Sequence, residues 1–452
     1  MPPGPGEAGE HGPASTPEPL VPPRYEPIGD QASAPAPSNK KVRRRVGSLE
    51  ALGHRDFALL WSGQAVSLLG DGIFTVALAL EALRLSKGPY ALSFVLAARL
   101  VPTVVFLVVS GALIDRLPRR LVLLVSDAVR GAAVLAIAVL TAVHELRVWH
   151  LVVMALVFGT ADAFFLPAST AIVPELVPAE LLTSAAALES SSWVAAQNLI
   201  GPAVGGILVA ALGSALSFGA DAASFAVSAT CIGAMRLRPR PAPSGRSILH
   251  DVRAGMAYVR SQRWLWATIL AAAVANFAGF APTGVLLPLL IRRTLGAGPA
   301  ALGFVLAAGG LGGLVGALAV GRFGAPRRRI TAMWLSWGLS NLALIGMGVS
   351  PNLWVLGAMS AVGFALLMYG GTLWNPIMQQ LVPAEMLGRA SSVDWLVSLS
   401  LTPAGVLAAG ATAAVFGPRT ALVACGIIAS SMTLVLLVPG VREPERSDNF
   451  SS

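Results

Sequence analysis

The chain has 452 residues, 55% of them hydrophobic and 12% charged, with a mean hydropathy of +0.71 and a net charge of +9. Water-soluble domains carry roughly 25% charged residues, so most of this surface meets lipid and a soluble globular domain is excluded. In such a chain a positive balance reports membrane topology rather than affinity for nucleic acid, and no nucleic-acid partner is expected.

The first 45 or so residues are proline-rich and polar and end in Lys40-Lys41-Val42-Arg43-Arg44-Arg45. No apolar region follows a short basic start, so a secretory signal peptide is not expected. Residues 1–50 read as a disordered cytoplasmic tail, with contact between the basic run and anionic lipid as the alternative. Apolar stretches long enough to span about 30 Å of hydrocarbon follow. They lie at 57–83, 91–114, 121–141, 149–173, 187–211 and 214–234, then at 264–290, 299–321, 330–349, 352–375, 391–412 and 418–440. The spacing predicts an all-α membrane protein of twelve transmembrane helices. An N-terminal six-helix bundle occupies 51–235, a linker 236–263, a C-terminal six-helix bundle 264–440 and a cytoplasmic tail 441–452. Within the linker, Ile248, Val252, Met256 and Val259 recur at helical intervals, which predicts an amphipathic helix on the inner membrane face.

Arginine placement gives the orientation. The N-tail, Asp115 to Arg120, the linker, Arg327-Arg328-Arg329 and the C-tail fall on one side, and the opposite loops hold few basic residues. By the positive-inside rule the arginine-rich side, with both termini, is cytoplasmic. Lysine is rare beside arginine and alanine, as in proteins of GC-rich bacterial genomes, so the expected location is a bacterial inner membrane. Cys231 and Cys425 lie in apolar segments of different halves, and His11, His54, His144, His150 and His250 are dispersed. Neither a disulfide framework nor a metal or other cofactor is expected.

The pentapeptide LVPAE begins at Leu176 and again at Leu381, 205 residues later, and Gly111-Ala112-Leu113 recurs at the same offset as Gly316-Ala317-Leu318. Six spans, an even number, separate the copies, so the halves enter the membrane with the same polarity. This is a parallel pseudo-two-fold repeat about an axis along the membrane normal, with a binding site expected between the halves. In each LVPAE, proline just inside a helix start and glutamate in its first turn predict a short helix leading into the next span.

Gly111-x-x-x-Asp115-Arg116-x-Pro118-Arg119-Arg120, between the second and third spans, resembles the signature loop of the major facilitator superfamily in residue type, spacing and position. Pro118 stands where that pattern has glycine, and the second half has Val320 at the offset of Asp115. The segments "SLLGDGIF", "SDAVRGA", "FFLPASTAIVPELVP" and "GADAASFAVSA" are similar to the bacterial enterobactin-exporter and macrolide-efflux branch, and the resemblance covers about 50–440. Gly201-Pro202-x-x-Gly205-Gly206 resembles the core of the antiporter motif, and also reads as a small-xxx-small packing stripe. Gly309, Gly310, Gly312, Gly313 and Gly316 invite that second reading alone. The resemblance implies a gate in which Asp115 packs near Ser391–Asp394, with Arg116, Arg119 and Arg120 beside it and Arg389 as partner.

Charged residues inside spans cost about 2.5–3.5 kcal/mol each when unpaired, so they usually face a cavity or a partner. At 1.5 Å per residue, Asp71 lies about 21 Å from the inner face and Arg99 about 12 Å from the outer one. These depths nearly coincide and predict an Asp71–Arg99 ion pair or shared cavity. Asp127 and Arg130 lie roughly 9–14 Å from the inner face, and Asp162 reaches a comparable depth. Two carboxylates sharing one arginine suit proton coupling; a static brace between the third and fourth spans is the alternative. Gln197, Asn198, Asp221, Asn276, Asn341, Trp374 and Asn375 are candidates for a substrate cavity.

The expected protein is a monomeric secondary exporter of an amphipathic drug-, antibiotic- or siderophore-like molecule, driven by proton antiport, with protons, substrate and lipid as its partners. A proton-coupled importer on the same fold and a non-transporting receptor are the rivals. Nothing in the chain forms a nucleotide-binding Gly-x-x-x-x-Gly-Lys-Ser/Thr, and no cluster of catalytic groups suggests an enzyme.

Overall fold

The computed structural model describes residues 49–86, 88, 90–114, 117–236 and 248–446, all within the unit Val46–Ser452. The N-tail as far as residue 48, residues 237–247 of the linker and the end of the C-tail lie outside the described residues. Every regular element among the described residues is helical. The chain begins with α1 (Arg55–Leu85), α2 (Tyr90–Ile114), α3 (Arg119–Ala142) and α4 (Val148–Leu176). A continuous helical stretch, Ala179–Gly233, then runs through α5 (Leu182–Ser192), a π-helical segment at Trp193–Ile200, and α6 (Gly201–Gly233). The short α7 (Ile248–Ser261) leads to α8 (Arg263–Ala275), a π segment at Asn276–Phe280, and α9 (Ala281–Leu289). There follow α10 (Pro299–Phe323), α11 (Arg329–Val349), α12 (Leu353–Leu381), α13 (Ala384–Ser400), α14 (Thr402–Ser431) and α15 (Glu443–Arg446).

Nine helical stretches among the described residues are long and apolar enough to cross a membrane, and Tyr90–Phe106 forms a shorter apolar helix. Two of the nine are far too long for one crossing. At 1.5 Å per residue the 55 residues of Ala179–Gly233 would extend roughly 80 Å, against about 30 Å of hydrocarbon. Glycine resolves this. Gly213 (φ 82°) in α6 and Gly417 (φ 79°) in α14 interrupt the helix in the left-handed half of φ space, where a residue with a Cβ is strained. Each therefore ends one helix and starts the next with almost no intervening loop.

The repeat seen in sequence has its counterpart here. α4 and α12 are both 29 residues long, with starts and ends 205 residues apart, and each runs into LVPAE. The residue before a proline is pushed out of the α region. Accordingly Val177 and Val382 are extended, and the helices end at Leu176 and Leu381. Pro178 and Pro383 occupy the cap position just outside the following helix, not its first turn as expected, while Glu180 and Glu385 do lie in that turn. Nor does the second copy start a separate short helix: α13 runs unbroken from Ala384 to Ser400.

Buried apolar side chains form three clusters. At the end of the molecule remote from the described chain ends, a single cluster joins Phe74, Leu78, Leu92 and Phe158 to Val285, Leu290, Leu302, Leu344, Val406 and Leu422. Toward the chain ends the core is in two parts. One surrounds Phe57, Leu60, Leu123, Ile172 and Ile232, and the other surrounds Trp264, Leu265, Ile330, Trp334, Ile377 and Val393. The molecule is thus continuous across its hairpin end and divided at the end where the chain starts and stops.

Two minor elements brace the divided end. α7 packs on α13, where an added Cβ at Gly255 would lie 2.8 Å from the carbonyl oxygen of Arg389, and Val259 is buried in the cluster around Trp264. α15 supplies a cap. Glu445 accepts hydrogen bonds from the Thr331 amide (2.8 Å) and hydroxyl (2.6 Å), serving the first turn of α11, whose own cap residue Arg328 makes no side-chain cap bond. Loss of a helix cap costs about 1 kcal/mol. Glu445→Ala should therefore lower the unfolding temperature in detergent measurably, and Glu445→Gln, which keeps an acceptor, should recover part of the loss.

Candidate functional site

The most concentrated polar chemistry lies among α1 to α4 and α6. Arg130 on α3 is almost wholly enclosed, its side chain 4% exposed. It donates to Asp127, one turn earlier on the same helix, and to Oδ1 of Asp162 on α4 at 3.0 Å. The other oxygen of Asp162 accepts from Arg99 on α2 at 3.2 Å. Asp162 is therefore the link in a chain that runs Arg99, Asp162, Arg130, Asp127. The flat faces of both guanidiniums rest on aromatic rings. Arg99 stands 4.5 Å from the Phe158 centroid, and Arg130 stands 3.9 Å from Phe165 and 4.7 Å from Phe225. Phe74 stacks on Phe158 at 5.5 Å. A planar cation can in this way combine donors at its edge with π contacts on its faces, which a lysine ammonium could not, although the buried Nε of Arg130 has no hydrogen-bond partner.

Gly159 makes the geometry possible. A Cβ there would collide with the carbonyl of Arg99, so α2 and α4 touch backbone to backbone. Thr103 adds hydrogen bonds to the Gly159 and Arg99 carbonyls, each 3.3 Å. Asp162, one turn beyond Gly159, is thus carried to the Arg99 side chain. This corrects the expected Asp71–Arg99 pair: Arg99 is bonded to Asp162, and Oδ1 of Asp71 has no hydrogen-bond partner. Asp71 nevertheless lies within electrostatic reach of Arg99 and Arg130, so the two expected charge sets form one group. Asp221, expected in a substrate cavity, is instead fully buried on α6. It packs with Ser224 against Gly70 of α1, where a Cβ would displace both side chains. In all, four carboxylates (Asp71, Asp127, Asp162 and Asp221) accompany two guanidiniums, and Asp71, Asp127 and Asp221 each keep one oxygen without a hydrogen-bond partner.

A second polar group lies in the other half of the chain. Trp374 on α12 donates its indole N–H to Oδ2 of Asp394 on α13 at 2.8 Å, and Ser398 donates to Oδ1 at 2.9 Å. The Asn276 amide, in its π segment, donates to the Ser398 carbonyl at 3.0 Å. Trp264 meets Trp374 edge to face at 6.4 Å. The structure thus brings the cavity candidates Asn276 and Trp374 together around a carboxylate that the sequence reading passed over as a site. A signal for it was present: between residues 264 and 440 the only acidic residues are Glu385 and Asp394. The remaining candidates are dispersed. Asn341 packs beside Gly279, Asn375 is exposed, and Gln197 and Asn198 are half-buried in the π segment of the fifth span, where the Asn198 amide donates to the Trp193 carbonyl at 3.1 Å.

Of the expected gate residues, Asp115 and Arg116 lie outside the described residues, and Gly111 falls in the last turn of α2. Arg119 donates to Glu175 and to the Ala171 carbonyl, both at 2.6 Å, tying the start of α3 to the end of α4. Arg120 donates to the carbonyls of Ile232 and Gly233, satisfying the end of α6. Arg389 donates to the Met386 sulfur at 3.8 Å. The antiporter-like stretch is a packing surface. Gly201 and Gly205 lie against Gly72 and Ile73 of α1, while Gly206 and the Pro202 carbonyl lie against Gly303 of α10. Gly312 and Gly316 on α10 meet the backbone of Ala361 and Ala365 on α12 in the same manner.

Comparison with known proteins gives concordant results. Residues 46–452 match the profile of a family described as "Transmembrane secretion effector". The chain is 25% identical over 358 residues to macrolide efflux protein A of Streptococcus pyogenes, covering 78% of this chain and 87% of that one. It is 28% identical over 403 residues to the multidrug efflux pump Tap of Mycolicibacterium fortuitum, covering 86% and 95%. Among solved structures, a bacterial homologue of the lysosomal transporter Spinster, inward-facing and unoccupied, aligns with a TM-score of 0.64 at 13% identity over 87% of this chain and 97% of that one. An inward-facing bacterial homologue of the iron transporter ferroportin aligns with a TM-score of 0.63 at 18% identity over 84% and 98%. At these identities the structural likeness concerns the fold.

Proposed function

The chain belongs to the transmembrane secretion effector family of major facilitator transporters, and we propose that it expels an amphipathic, drug-like molecule from the cytoplasm in exchange for protons. It is a multi-pass membrane transporter and not an enzyme. The proposed architecture has twelve crossings in two six-helix bundles, which result when the long stretches are each counted as two at Gly213 and Gly417 and α2 is added to the rest. Both termini are placed in the cytoplasm of a bacterial cell, because the divided end carries most of the arginines. The divided core then opens inward, a state that two structural relatives also occupy. The halves rock about the continuous hairpin end, and one chain supplies both, so a monomer suffices.

One observation carries the coupling: four carboxylates, three of them buried, accompany two guanidiniums. An uncompensated charge is expensive in a low-dielectric interior, so this group approaches neutrality only by holding protons. Asp162 touches both arginines and is thus the position at which proton binding would free them. Asp71 and Asp221, with unsatisfied oxygens on neighbouring helices, supply the remaining proton places. The membrane potential contributes about 2.3 kcal/mol per charge per 100 mV to inward proton movement. Substrate class is carried over from the relatives: a macrolide or another antibiotic.

The test uses inside-out membrane vesicles with an acidified lumen and a radiolabelled macrolide. Export by antiport predicts uphill accumulation in the lumen that a protonophore abolishes. Substrate leaving the lumen down the same proton gradient would identify an importer. Specific binding with no movement under either gradient would identify a receptor.

A further inference from the structure

Asp127 and Asp162 bond to arginines and Asp71 and Asp221 lie within electrostatic reach of them, whereas among the described residues no arginine is bonded to Asp394. Ion pairs among the described residues include Arg55–Asp56, Arg84–Glu81, Arg99–Asp162, Arg119–Glu175 and those of Arg130, and Asp394 takes part in none of these. Its partners, the indole of Trp374 and the hydroxyl of Ser398, are neutral donors. They orient the group without cancelling its charge. An ionised carboxylate accepts at about four lone-pair positions, so two are left for a ligand. It is the eleventh residue of α13, just inside the expected span 391–412, and is partly covered. A carboxylate placed within an apolar span without a cation costs stability unless a cation arrives from elsewhere. Its setting suits an organic one. The indole of Trp374 is fixed by Trp264 edge to face at 6.4 Å, and aromatic rings beside a carboxylate hold a lipophilic cation by cation–π attraction and apolar contact together. Asn276 anchors the Ser398 carbonyl from its π segment, a backbone irregularity that often marks functional positions in helices.

We propose that Asp394, backed by Trp374, is the counter-ion for a positively charged group on the transported molecule, so that the substrate is a cationic amphiphile. This rests on the transport reading only for the word transported. Protons and substrate are then handled by different halves of the chain, the former on the Asp162 group and the latter on Asp394.

The test measures binding to the purified full chain in detergent, read by quenching of intrinsic tryptophan fluorescence. The probes are tetraphenylphosphonium, a lipophilic monocation, and triphenylphosphine oxide, a neutral compound of similar shape. The wild type should favour the cation by about tenfold or more, the 1.4 kcal/mol of a modest ion-pair contribution. Asp394→Asn should remove that preference and leave neutral binding unchanged, and Asp394→Glu should restore it. Ser398→Lys, which presents an internal ammonium one turn away, should abolish cation binding independently. A wild type without cation preference, or variants that keep it, would overturn the proposal. A protein that binds the cation through Asp394 yet moves nothing in vesicles would overturn the transport reading and leave this one standing.

Discussion

Asp162→Asn should reduce proton-driven export to near background, a loss of more than about tenfold, while leaving substrate binding in detergent measurable. Both oxygens of Asp162 are engaged, one with Arg130 and one with Arg99. Asparagine keeps the volume but offers one acceptor and no charge. Arg99 then loses its bonded carboxylate, and Arg130 keeps only Asp127. Removing one partner from a buried pair costs about 3–5 kcal/mol. Asp162 is 16% exposed at its side chain, which places the expected destabilisation at the lower end. The decisive reading is therefore coupling rather than stability: the variant should still equilibrate substrate across a vesicle membrane but no longer respond to an imposed pH gradient. Wild-type proton-driven export in this variant, and in Asp71→Asn and Asp127→Asn, would show that the group is a static brace between α3 and α4.

Gly206→Val should shift the protein away from the form divided at its chain-end side and slow export by about an order of magnitude. A Cβ at Gly206 would lie 3.0 Å from the Cα of Gly303, 3.1 Å from the Pro299 carbonyl and 3.2 Å from the Cα of Ala300. All three are backbone atoms, which cannot swing aside. Overpacking costs typically 1–3 kcal/mol, and here the strain falls on the contact between α6 and α10 that holds the hairpin end together. A state in which that contact opens escapes the strain, so populations move toward it by roughly five- to a hundredfold. Gly219, beyond the break at Gly213, has nothing within 4 Å of an added Cβ, and Gly219→Val is the control. Spin labels at Glu145 and Pro351, both exposed at the hairpin end, should report longer distances in Gly206→Val than in the control. Identical distance distributions and identical export in the two variants would remove the inference.

The spans were legible because their signal is one-dimensional. A run of apolar residues interrupted by arginine or glycine needs no knowledge of neighbours, and the expected 57–83, 299–321 and 330–349 differ from α1, α10 and α11 by two residues or fewer at each end. The paired spans 187–211 and 214–234 were separable on sequence because Gly213 falls between them, although the helix there has almost no loop. Charge pairing was less legible. Counting residues along a helix gives depth but not the direction a side chain faces, so Asp71 and Arg99 matched in height while Arg99 turned to α4. The deciding residue, Gly159, carries no charge and gave no signal of its own. Asp394 was overlooked for a related reason. Its donor Trp374 is 20 residues away on another helix, and attention to clusters misses a carboxylate whose significance is its isolation. Asp115 lies outside the described residues, and its meeting with Ser391–Asp394 stays a proposal.

Gly213 and Gly417 have a practical consequence. Each turns the chain with a single left-handed residue, and a Cβ built at either position meets nothing within 4 Å. These are points where the polypeptide leaves one crossing and enters the next without being held by surrounding side chains. A short flexible epitope inserted after either glycine would lengthen a turn without displacing a packed neighbour. Such a tag, stained on intact cells, would report directly which face of the membrane the hairpins occupy. The same two sites are natural points at which to divide the gene and ask whether separately expressed fragments reassemble into a working pump.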